Sequence, residues 1–453
     1  MGNVRVHPLL KEIASIFASG GKKAYLVGGA VRDTLRGEAP EDWDLATDAT
    51  PEEVMRLFRR VIPTGIKHGT VTIHYKGRPI ETTTFRTESG YSDGRRPDAV
   101  SFAATIEEDL SRRDFTMNAI AVELPGGKIV DPFGGERDIR ARLIRCVGDP
   151  AERFGEDGLR PLRATRFMAQ LNFRLDPATL RAIPLALSKT AMVAVERIRD
   201  ELDKTLAAAQ PSLSFRVMEE TGLLTLILPE LAACRGVEQK GFHRFDVLDH
   251  LLLSCDGAPR ERPIVRLAAL FHDIGKPLVR AMGPDGVWTF YRHEEESARL
   301  ARDLLTRLRY PTATIDAVVH LIAVHMFHYE ETWTDAAVRR FVARVGIDHL
   351  ADAYALRRAD TYGTTGALPP PEAGAPLADR VDRVLAAGKA LSIRDLAVSG
   401  EDLAAIGIPR GPRMGILLKE LLETVLDDPE MNQKDRLLTV VRRLEERREG
   451  GGA

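Results

Sequence analysis

A predicted strand, a glycine pair and a helix, followed closely by two aspartates, restrict the fold of this chain more than any other feature. The segment LVGGAVRDTLRG places Gly28 and Gly29 directly after the strand pattern AYLV (24–27) and at the start of a helical pattern. Two glycines let the backbone approach a phosphate closely, and amides at a helix N-terminus donate to anions. Arg32 is expected about one turn into that helix, within reach of a triphosphate. The pattern predicts a layer of strands and helices built around a phosphate-binding turn.

The two aspartates stand two residues apart in the segment EDWDLAT. On a strand this spacing directs the carboxylates of Asp42 and Asp44 to the same face. Mg²⁺ prefers carboxylates together with substrate phosphate oxygens, so the pair is predicted to hold Mg²⁺ and to be catalytic. In a two-metal site one ion activates an attacking hydroxyl and the other stabilises leaving pyrophosphate. Glu81 is a candidate third carboxylate for the metal. The alternative, that Glu81 is an ordinary strand residue that faces solvent, is at least as well supported.

The remaining pattern divides the chain into a mixed N-terminal part and a long helical part. Strands are predicted at VTIHY (71–75) and PIETTTF (79–85), and a helix capped by Thr50 is predicted at 51–60. From about residue 150 the strand signal nearly vanishes. SARLARDLLTRLR (297–309) has leucines at the spacing of one helix face.

Two segments are predicted to lack regular structure. Residues 86–111 are rich in glycine, aspartate, proline and charge, which is typical of a mobile loop. ALPPPEAGAP (367–376) is the clearest linker, because three consecutive prolines fit neither a helix nor a sheet. We therefore expect an α+β fold. It is predicted to have four parts, which are a small head with a mixed sheet at 1–145, a helical neck at 146–235, a metal-binding region at 236–366 and a helical tail at 377–453.

Composition narrows the function classes. The 453 residues include 64 Lys and Arg against 66 Asp and Glu, so binding of nucleic acid by bulk charge is excluded and local basic patches must serve instead. Aromatic residues make up only 6%, which argues against a surface built on base stacking. The three cysteines are far apart, so neither a disulfide framework nor a CxxC zinc site is expected. A cytoplasmic protein without a membrane partner is the resulting expectation.

GGAVRDxLxG together with DxD resembles the nucleotidyltransferase head of the DNA polymerase β superfamily. More narrowly, it resembles the bacterial class II tRNA nucleotidyltransferases (CCA-adding enzymes) and the related poly(A) polymerases. RRDFTMNAIA (112–121) is similar to the family's ribose and phosphate motif. The resemblance implies that Arg113 contacts the nucleotide phosphates and that Asp114 and Asn118 lie near the sugar.

GEDGLRPLRATRF (155–167) resembles the family's base-selection motif. Cytosine and adenine each present an exocyclic amino donor beside a ring-nitrogen acceptor, an order that guanine and uracil reverse. Asp157 can accept from the amino group and Arg160 can donate to the ring nitrogen, and at i, i+3 on a helix the two are expected to be neighbours. Their alternative role is an ordinary surface salt bridge.

The same resemblance makes Arg163 and Arg166 further nucleotide contacts. Pro161 departs from the family, which usually has an aliphatic residue there. If one helix starts near Gly155, Pro161 is expected to kink it. The segment 86–111 corresponds to the flexible loop that full CCA-adding and A-adding enzymes carry, which favours A addition.

A set of histidines and aspartates recurs at wide spacing in the helical part. Imidazole and carboxylate ligands that project into a helical bundle suit a divalent transition metal. The pattern resembles the HD phosphohydrolase superfamily, with His272 and Asp273 as its signature. The resemblance implies a divalent transition metal, Ni, Mn, Fe or Co, at this site. The four shared ligands are His250, His272, Asp273 and Asp360, and the two candidate extra ligands are His293 and His325. Whether this site hydrolyses a substrate stays open.

The leading interpretation is an enzyme that adds CCA to the 3′ end of tRNA from CTP and ATP, with Mg²⁺ at the head and a second, phosphohydrolase activity at the HD site. Poly(A) polymerases and partial enzymes that add only CC or only A are alternatives on the same scaffold. From another class, the alternative is an HD phosphohydrolase with a nucleotide-sensing head. In the tail Arg410 and Arg413 are candidates for the RNA backbone, and no obligatory protein partner is inferred.

Overall fold

The computed structural model describes residues 3–40, 42–66, 69–89, 99–239, 244–387 and 391–450. The chain forms two compact units, an N-terminal unit of Met1–Ala233 with Arg307–Tyr310 and a C-terminal unit of Cys234–Thr306 with Pro311–Ala453. Each unit is described by itself below.

A mixed sheet organises the first part of the N-terminal unit. Its strands and those of a separate hairpin are β1 (Ala24–Val27), β2 (Asp44–Thr47), β3 (Val61–Gly65), β4 (Thr70–Tyr75), β5 (Arg78–Thr84), β6 (Arg86–Ser89), β7 (Ala99–Phe102), β8 (Ala121–Glu123) and β9 (Ile129–Val130). Among the described residues, seven strands form one sheet in the order β3-β4-β5-β2-β1-β8-β9. Strand β2 runs parallel to β5 and antiparallel to β1. All four residues of β1 are buried, as expected of a central strand covered on both faces.

The helices of the head are α1 (Pro8–Ser19), α2 (Gly29–Leu35), α3 (Pro51–Leu57), α4 (Ile106–Ser111) and α5 (Gly135–Arg140). The strands predicted at 24–27, 71–75 and 79–85 are confirmed as β1, β4 and β5. The helix predicted at 51–60 is confirmed as α3, although it ends earlier, at Leu57. Its N-terminus has the expected reciprocal bonds, since Thr50 accepts from the backbone of Glu53 and the Glu53 carboxylate accepts from the backbone of Thr50.

The prediction of an irregular loop over residues 86–111 is wrong at both of its ends. Strands β6 and β7 pair as an antiparallel hairpin. Helix α4 follows, and its N-terminus is fixed by the reciprocal bonds of Thr105 and Glu108. Residues 90–98, the middle of the predicted loop, lie outside the described residues.

The rest of the N-terminal unit is mainly helical, as expected. Its elements are the helices α6 (Pro150–Glu156), α7 (Arg160–Leu171), α8 (Pro177–Ala182), α9 (Leu187–Thr190), α10 (Val195–Leu206), α11 (Ser212–Glu220), α12 (Leu223–Ile227) and α13 (Pro229–Ala232), with the short parallel strands β10 (Leu143–Ile144) and β11 (Arg174–Leu175). Helices α10 and α11 both pack against α7. These contacts support the helix that carries the second part of the predicted base-selection motif, from Arg160 onward.

Where the structure describes it, the C-terminal unit is helical except for one small hairpin. Its elements are α14 (Val247–Gly257), α15 (Pro263–Phe271), α16 (Lys276–Val279), α17 (His293–Arg307), α18 (Thr312–Val324), α19 (Asp335–Val345), α20 (Leu350–Thr365), α21 (Ala375–Ala386), α22 (Gly400–Ala405), α23 (Pro412–Asp427) and α24 (Lys434–Gly450), with β12 (Ala281–Met282) and β13 (Trp288–Thr289). Helices α14, α15 and α20 pack together, and α15 also contacts α18. The helix predicted at 297–309 is confirmed as the larger part of α17.

The predicted linker at 367–376 contains more structure than expected. A 3₁₀ turn spans Pro371–Gly374, and α21 begins at Ala375. Further along, the buried side chains of Leu403, Leu417, Leu421 and Leu437 form part of a separate small core. Across the described residues, every helix is too short or too polar to span a bilayer.

Candidate functional site

A cleft of about 400 Å³ in the N-terminal unit gathers most of the residues predicted for nucleotide binding. The predicted residues that line it are Gly28, Gly29, Arg32, Asp44, Glu81, Arg113, Asp114, Asn118, Asp157, Arg160 and Arg163. Among the described residues, Asp42 and Arg166 do not line it. The cleft also contains residues that the sequence did not single out, which are Thr70, Thr83, Arg86, Arg112 and Phe167.

The glycine pair forms one edge of this cleft. Gly28 precedes α2 with φ of 72°, a backbone conformation that L side chains rarely adopt. A Cβ at this position would lie 3.3 Å from Arg113 Nη1 and 3.7 Å from Asp44 Oδ2. The absence of a side chain at Gly28 therefore leaves room where a cationic and an anionic group approach each other.

The carboxylates lie on neighbouring parallel strands. Asp44, the first residue of β2, is the register partner of Glu81 on β5. Asp42 lies just before the strand rather than on it, contrary to the expectation for the pair. Desolvation in the cleft, together with the nearby charges of Glu81 and Asp42, raises the pKa of Asp44. Hard oxygen donors whose negative charges destabilise one another fit a divalent cation such as Mg²⁺.

A hydrogen-bonded chain links two of the arginines across the cleft. Asp114 Oδ2 accepts from Arg163 Nε at 2.8 Å and Nη2 at 2.6 Å. Asp114 Oδ1 accepts from Asn118 Nδ2 at 3.1 Å, and Asn118 Oδ1 accepts from Arg32 Nη1 at 3.0 Å. Burial opposes ionisation of Asp114, but Arg163 and the Asn118 bond outweigh it and lower its pKa to about 2. Asp114 therefore stays charged at neutral pH and fixes the positions of both arginines.

Three guanidinium groups surround one aromatic ring. The Cζ atoms of Arg32, Arg163 and Arg166 lie 5.4, 5.3 and 4.0 Å from the centroid of the Phe167 ring. Arg166 also pairs with the buried Glu201 of α10, with Nε 2.7 Å from Oε2. Arg166 therefore lies behind Phe167, in contact with the aromatic wall of the cleft.

The base-selection motif differs from the expected geometry. Asp157 and Arg160 are not neighbours on one helix, because α6 ends at Glu156 and α7 begins at Arg160. Both side chains nevertheless line the cleft. The predicted kink at Pro161 is also wrong, since Pro161 occupies the first turn of α7, where a missing amide breaks no helical hydrogen bond.

The break between these helices depends on a glycine. A Cβ on Gly158 would lie 2.4 Å from the backbone oxygen of Lys189. Thr190 Oγ1 also donates to the Gly158 carbonyl at 2.8 Å. The turn is therefore held by residues about 30 positions along the chain, which no local pattern reveals.

Arg113 is fixed by the helix that replaces part of the predicted loop. Its Nη2 lies 3.2 Å from Oδ2 of Asp109, a buried residue of α4. Arg112 Nη2 donates to Asp109 Oδ1 at 2.8 Å. The motif T-x-x-E at Thr105 and Glu108 is the sequence signal that would have located α4.

In the C-terminal unit, the predicted metal ligands converge in two groups that share one carboxylate. The groups are His250, His272 and Asp273, and Asp273, His293 and His325. Asp273 Oδ2 lies 3.2 Å from His250 Nε2, and its Oδ1 lies 3.1 Å from His293 Nε2. Asp360 Oδ1 lies 3.4 Å from His250 Nε2. The helices α14, α17 and α20, with the residues that directly follow α15 and α18, bring these six side chains together.

Hydrogen bonds select the ring tautomer of three of the histidines. The Nδ1 atoms of His272, His293 and His325 lie 2.7–2.9 Å from backbone carbonyls three residues earlier. A carbonyl only accepts, so each Nδ1 carries the hydrogen and each Nε2 directs a lone pair inward. Burial above all lowers the pKa of His325 to about 3, which keeps that ring neutral.

The donor set fits a bound cation. His293 Nε2 and Asp273 Oδ1 are buried and have no hydrogen-bond partner among the described residues, although they face each other at 3.1 Å. Two acceptor atoms in this arrangement repel unless a cation lies between them or beside them. Mixed imidazole and carboxylate donors favour a divalent transition metal.

Two cationic side chains contact the carboxylates of this centre. Lys276 Nζ lies 2.6 Å from Asp273 Oδ2 and donates to Gln239 Oε1 at 2.6 Å. Arg357 Nη1 donates to Asp360 Oδ2 at 2.7 Å. Burial opposes ionisation of Asp273, but the neighbouring charge of Lys276 holds the pKa of its carboxyl well below the usual value.

In the tail, the two arginines considered for RNA contact are paired with acidic side chains. Arg410 Nη2 lies 2.6 Å from Glu401 Oε1, and Arg413 Nη2 lies 2.5 Å from Glu445 Oε1. These pairs reduce the positive charge that either arginine offers to a phosphate backbone.

Three family models match successive segments of the chain. They are the poly A polymerase head domain at residues 24–145, the probable RNA and SrmB-binding site of polymerase A at 172–235, and the HD domain at 242–383. The first covers the sheet and the glycine pair, and the third covers the ligands of the metal centre.

Curated relatives match over nearly the whole length. The chain is 36% identical over 420 residues to a CCA-adding enzyme of Lactobacillus johnsonii, covering 93% of this chain and 92% of that protein. It is 35% identical over 420 residues to a CCA-adding enzyme of Geobacillus stearothermophilus, covering 92% of each. A CCA-adding enzyme of Geobacillus kaustophilus is 51% identical over 213 residues, which are 47% of this chain and 52% of that protein.

Solved structures of CCA-adding enzymes also align with this chain over nearly its whole length. The crystal structure of a Bacillus stearothermophilus CCA-adding enzyme in complex with CTP aligns with a TM-score of 0.72 at 33% identity, covering 98% of this chain and all of that one. A Thermotoga maritima CCA-adding enzyme complexed with tRNA aligns with a TM-score of 0.57 at 20% identity, covering 98% of this chain and 99% of that one, and supports the fold alone.

Proposed function

The chain belongs to the CCA-adding enzyme family, and on that premise we propose that it adds C, C and A to the 3′ end of tRNA from CTP and ATP without a nucleic-acid template. The observation that carries the proposal is the cleft in which Gly28, Asp44, Arg113, Asp157 and Arg160 meet. It combines a phosphate-binding turn, a carboxylate for metal and a polar pair suited to the Watson–Crick edge of C and A.

In this proposal the carboxylates of Asp42 and Asp44 would hold Mg²⁺, with Glu81 beside them. Mg²⁺ held there would supply Lewis acidity for attack of the tRNA 3′ hydroxyl on the α-phosphate and for departure of pyrophosphate. Arg32 and Arg113 bind the triphosphate oxygens and orient the nucleotide for in-line attack. The 3′ oxygen forms its bond to the α-phosphorus as the bond from that phosphorus to pyrophosphate breaks, and the proton of the 3′ hydroxyl passes to water.

Asp157 and Arg160 provide the base selection. Asp157 accepts from the amino group of C or A, and Arg160 donates to the adjacent ring nitrogen. Uracil and guanine place a carbonyl against the carboxylate and an N–H against the guanidinium, so both contacts become repulsive. Arg163, with Arg166 behind it, adds positive charge beside the sugar and phosphates.

The proposal extends to the division of labour along the chain. Residues 1–145 carry the transfer chemistry, 146–235 select the base and bind RNA, 236–366 hold the second metal centre, and 377–453 bind tRNA. Incubation of the protein with three tRNAs that lack CCA, CA or A, and with each nucleoside triphosphate separately, tests the activity. Full CCA addition requires incorporation of C into the first two tRNAs and A into the third. Addition of only A, only C, or a long A tail would identify a partial enzyme or a poly(A) polymerase.

We propose a second, phosphohydrolase activity at the HD centre. It rests on the two ligand groups that share Asp273 and on the acceptor atoms that face one another within them. A transition metal bound there would activate water toward a phosphoester, while Lys276 keeps Asp273 ionised. Hydrolysis of bis-p-nitrophenyl phosphate with added Ni²⁺, Mn²⁺, Fe²⁺ or Co²⁺ tests the activity. Absence of both hydrolysis and bound metal would refute the proposal.

A further inference from the structure

The carboxylate of Asp157 is held from behind by a residue that does not line the cleft. Arg197, on α10, donates from Nη2 to Asp157 Oδ2 at 2.8 Å and from Nη1 to Oδ1 at 3.3 Å. The backbone N–H of Leu159 donates to Oδ1 at 3.0 Å. The two-pronged contact with Arg197 fixes the plane of the carboxylate, because rotation breaks at least one of its bonds.

These contacts leave Asp157 little free capacity to accept hydrogen bonds. Each carboxylate oxygen has about two lone-pair sites. Both sites of Oδ1 are occupied, by Leu159 and by Arg197, and Oδ2 keeps one. Asp157 therefore offers a ligand in the cleft a single acceptor site of fixed direction.

Arg160 is restricted in the same way. Its Nη1 donates to the Arg153 carbonyl at 2.8 Å and also contacts the Glu156 carboxylate, and its Nη2 donates to the Arg112 carbonyl at 3.0 Å. Three of its five N–H donors are thus engaged. The carboxylate and the guanidinium that line the cleft at these two positions are therefore both restricted in direction.

We propose that Arg197 is a positioning residue for base selection, and that it directs the one free acceptor of Asp157 toward the amino group of the incoming C or A. The inference rests on the proposed role of Asp157. Without the Arg197 contact the carboxylate rotates and recruits water. A bridging water donates to the carbonyl of uracil or guanine as readily as it accepts from an amino group, so the discrimination falls.

Helix α10 carries a second contact of this kind one turn later. Arg197 and Glu201 are separated by four residues and share a helix face. Glu201 pairs with Arg166, which lies behind Phe167 in the cleft wall. The same face of α10 therefore makes two supporting contacts. Its cation Arg197 holds the base-selecting carboxylate of Asp157, and its anion Glu201 holds Arg166 behind Phe167.

The test is base selection by Arg197→Met, which keeps the length of the apolar stem and removes the charge. The value of kcat/KM is measured for CTP, ATP, UTP and GTP on tRNAs that lack CCA or A. We expect the C-over-U and A-over-G ratios to fall about tenfold, the loss of roughly one good charged hydrogen bond. The loss is expected mainly in KM for CTP and ATP, with kcat little changed, since the reacting groups are not altered.

Two further variants separate this role from general destabilisation. Arg197→Lys keeps the charge but loses the second prong, and we expect an intermediate ratio. Arg181→Met removes an exposed arginine of α8 that is not in contact with Asp157, and it should leave the C-over-U and A-over-G ratios at wild-type levels. Thermal unfolding of each variant records stability, which a merely structural role would change without changing the base ratios.

Asp157→Ala, alone and combined with Arg197→Met, distinguishes the possible failures. The inference predicts that the ratios of the double variant equal those of Asp157→Ala. Unchanged ratios in Asp157→Ala would refute the proposed role of Asp157 itself. Lowered ratios in Asp157→Ala with wild-type ratios in both Arg197 variants would overturn only the role of Arg197. If Arg197→Met lowers the base ratios by the same factor in the Asp157→Ala background as in the wild type, the role of Arg197 is also overturned.

Discussion

Replacement of Asp114 by asparagine tests the chain of hydrogen bonds across the nucleotide cleft. The carboxylate accepts two bonds from Arg163 and one from Asn118, which in turn accepts from Arg32. Asparagine has nearly the same shape, but it presents an amide that donates where Arg163 also donates. The substitution therefore keeps the packing and removes the charge.

The expected cost follows from the pKa of Asp114. The ordinary value is 3.8 and the folded value is about 2, and a pKa unit corresponds to about 1.4 kcal/mol. Ionised Asp114 therefore contributes about 2 kcal/mol to the free energy of unfolding at neutral pH. Because the folded pKa is lower, this contribution is complete well above pH 4, falls to roughly half at pH 3, and disappears below pH 2.

The fluorescence of Trp43 can report this contribution of Asp114 to the free energy of unfolding. The other two tryptophans, Trp288 and Trp333, belong to the C-terminal unit, so their replacement by phenylalanine leaves Trp43 to report on the N-terminal unit. Urea unfolding is followed by its fluorescence between pH 7 and pH 3, with and without Asp114→Asn. We expect a difference of about 2 kcal/mol at pH 7 that narrows toward pH 3.

Activity should fall in parallel with stability. Mispositioning of Arg163 and Arg32 removes charged hydrogen bonds to the nucleotide, so kcat/KM for CTP and ATP should fall ten- to a hundredfold, or about 1.5–3 kcal/mol. The control Asp200→Asn, at an exposed position of α10, should change the free energy of unfolding by less than about 0.5 kcal/mol. A stability difference between the wild type and the Asp114→Asn variant that stays constant from pH 7 to pH 3 would refute the argument from charge.

Four further outcomes are expected. Asp44→Asn should abolish nucleotide addition while tRNA binding survives, and near-normal turnover with Mg²⁺ would contradict the metal assignment. Replacing His272 and Asp273 together by alanine should remove bound metal and hydrolysis at the HD centre but leave CCA addition nearly intact, and loss of both activities in a folded protein would indicate one shared site. Gly28→Ala should cost about 1–3 kcal/mol of stability and raise KM for CTP, as measured by thermal unfolding and kinetics, because the left-handed φ is strained and the new Cβ crowds Arg113. Pro161→Ala should change the free energy of unfolding by less than about 1 kcal/mol, and a larger change would contradict its place in the first turn of α7.

The parts of the fold that the sequence predicts depend on local signals. Strand β1, the turn at Gly28 and helix α2 follow one another within 12 residues, and each has its own pattern. The N-terminus of α3 is predictable because the residues that satisfy its free amides stand within four positions. The equivalent signal at Thr105 marks α4, but it lies in a segment whose composition is typical of a loop, and composition alone gives the wrong prediction there.

The parts that could not be predicted depend on distant contacts. The residues from 155 to 167 suggest one helix, and the break within them requires the close approach of Lys189 to Gly158. Arg197 meets Asp157 from 40 positions away, and its own sequence neighbourhood gives no sign of that role. The six residues of the second metal centre were identifiable by type, but the arrangement of five of them in two groups around Asp273 depends on the packing of several helices.

The break between α6 and α7 also determines how the separation of Asp157 and Arg160 is set. On one continuous helix, two groups three residues apart have a distance fixed by the helical repeat. Here the distance depends on the dihedral angles of Asp157, Gly158 and Leu159, with the Gly158 carbonyl anchored by Thr190. The Lys189 backbone packs against the same turn, and Arg197 and the carbonyls of Arg153 and Arg112 hold the two side chains. The gap is therefore set by tertiary contacts, so a substitution at Thr190 would change it while leaving both base-selecting residues in place.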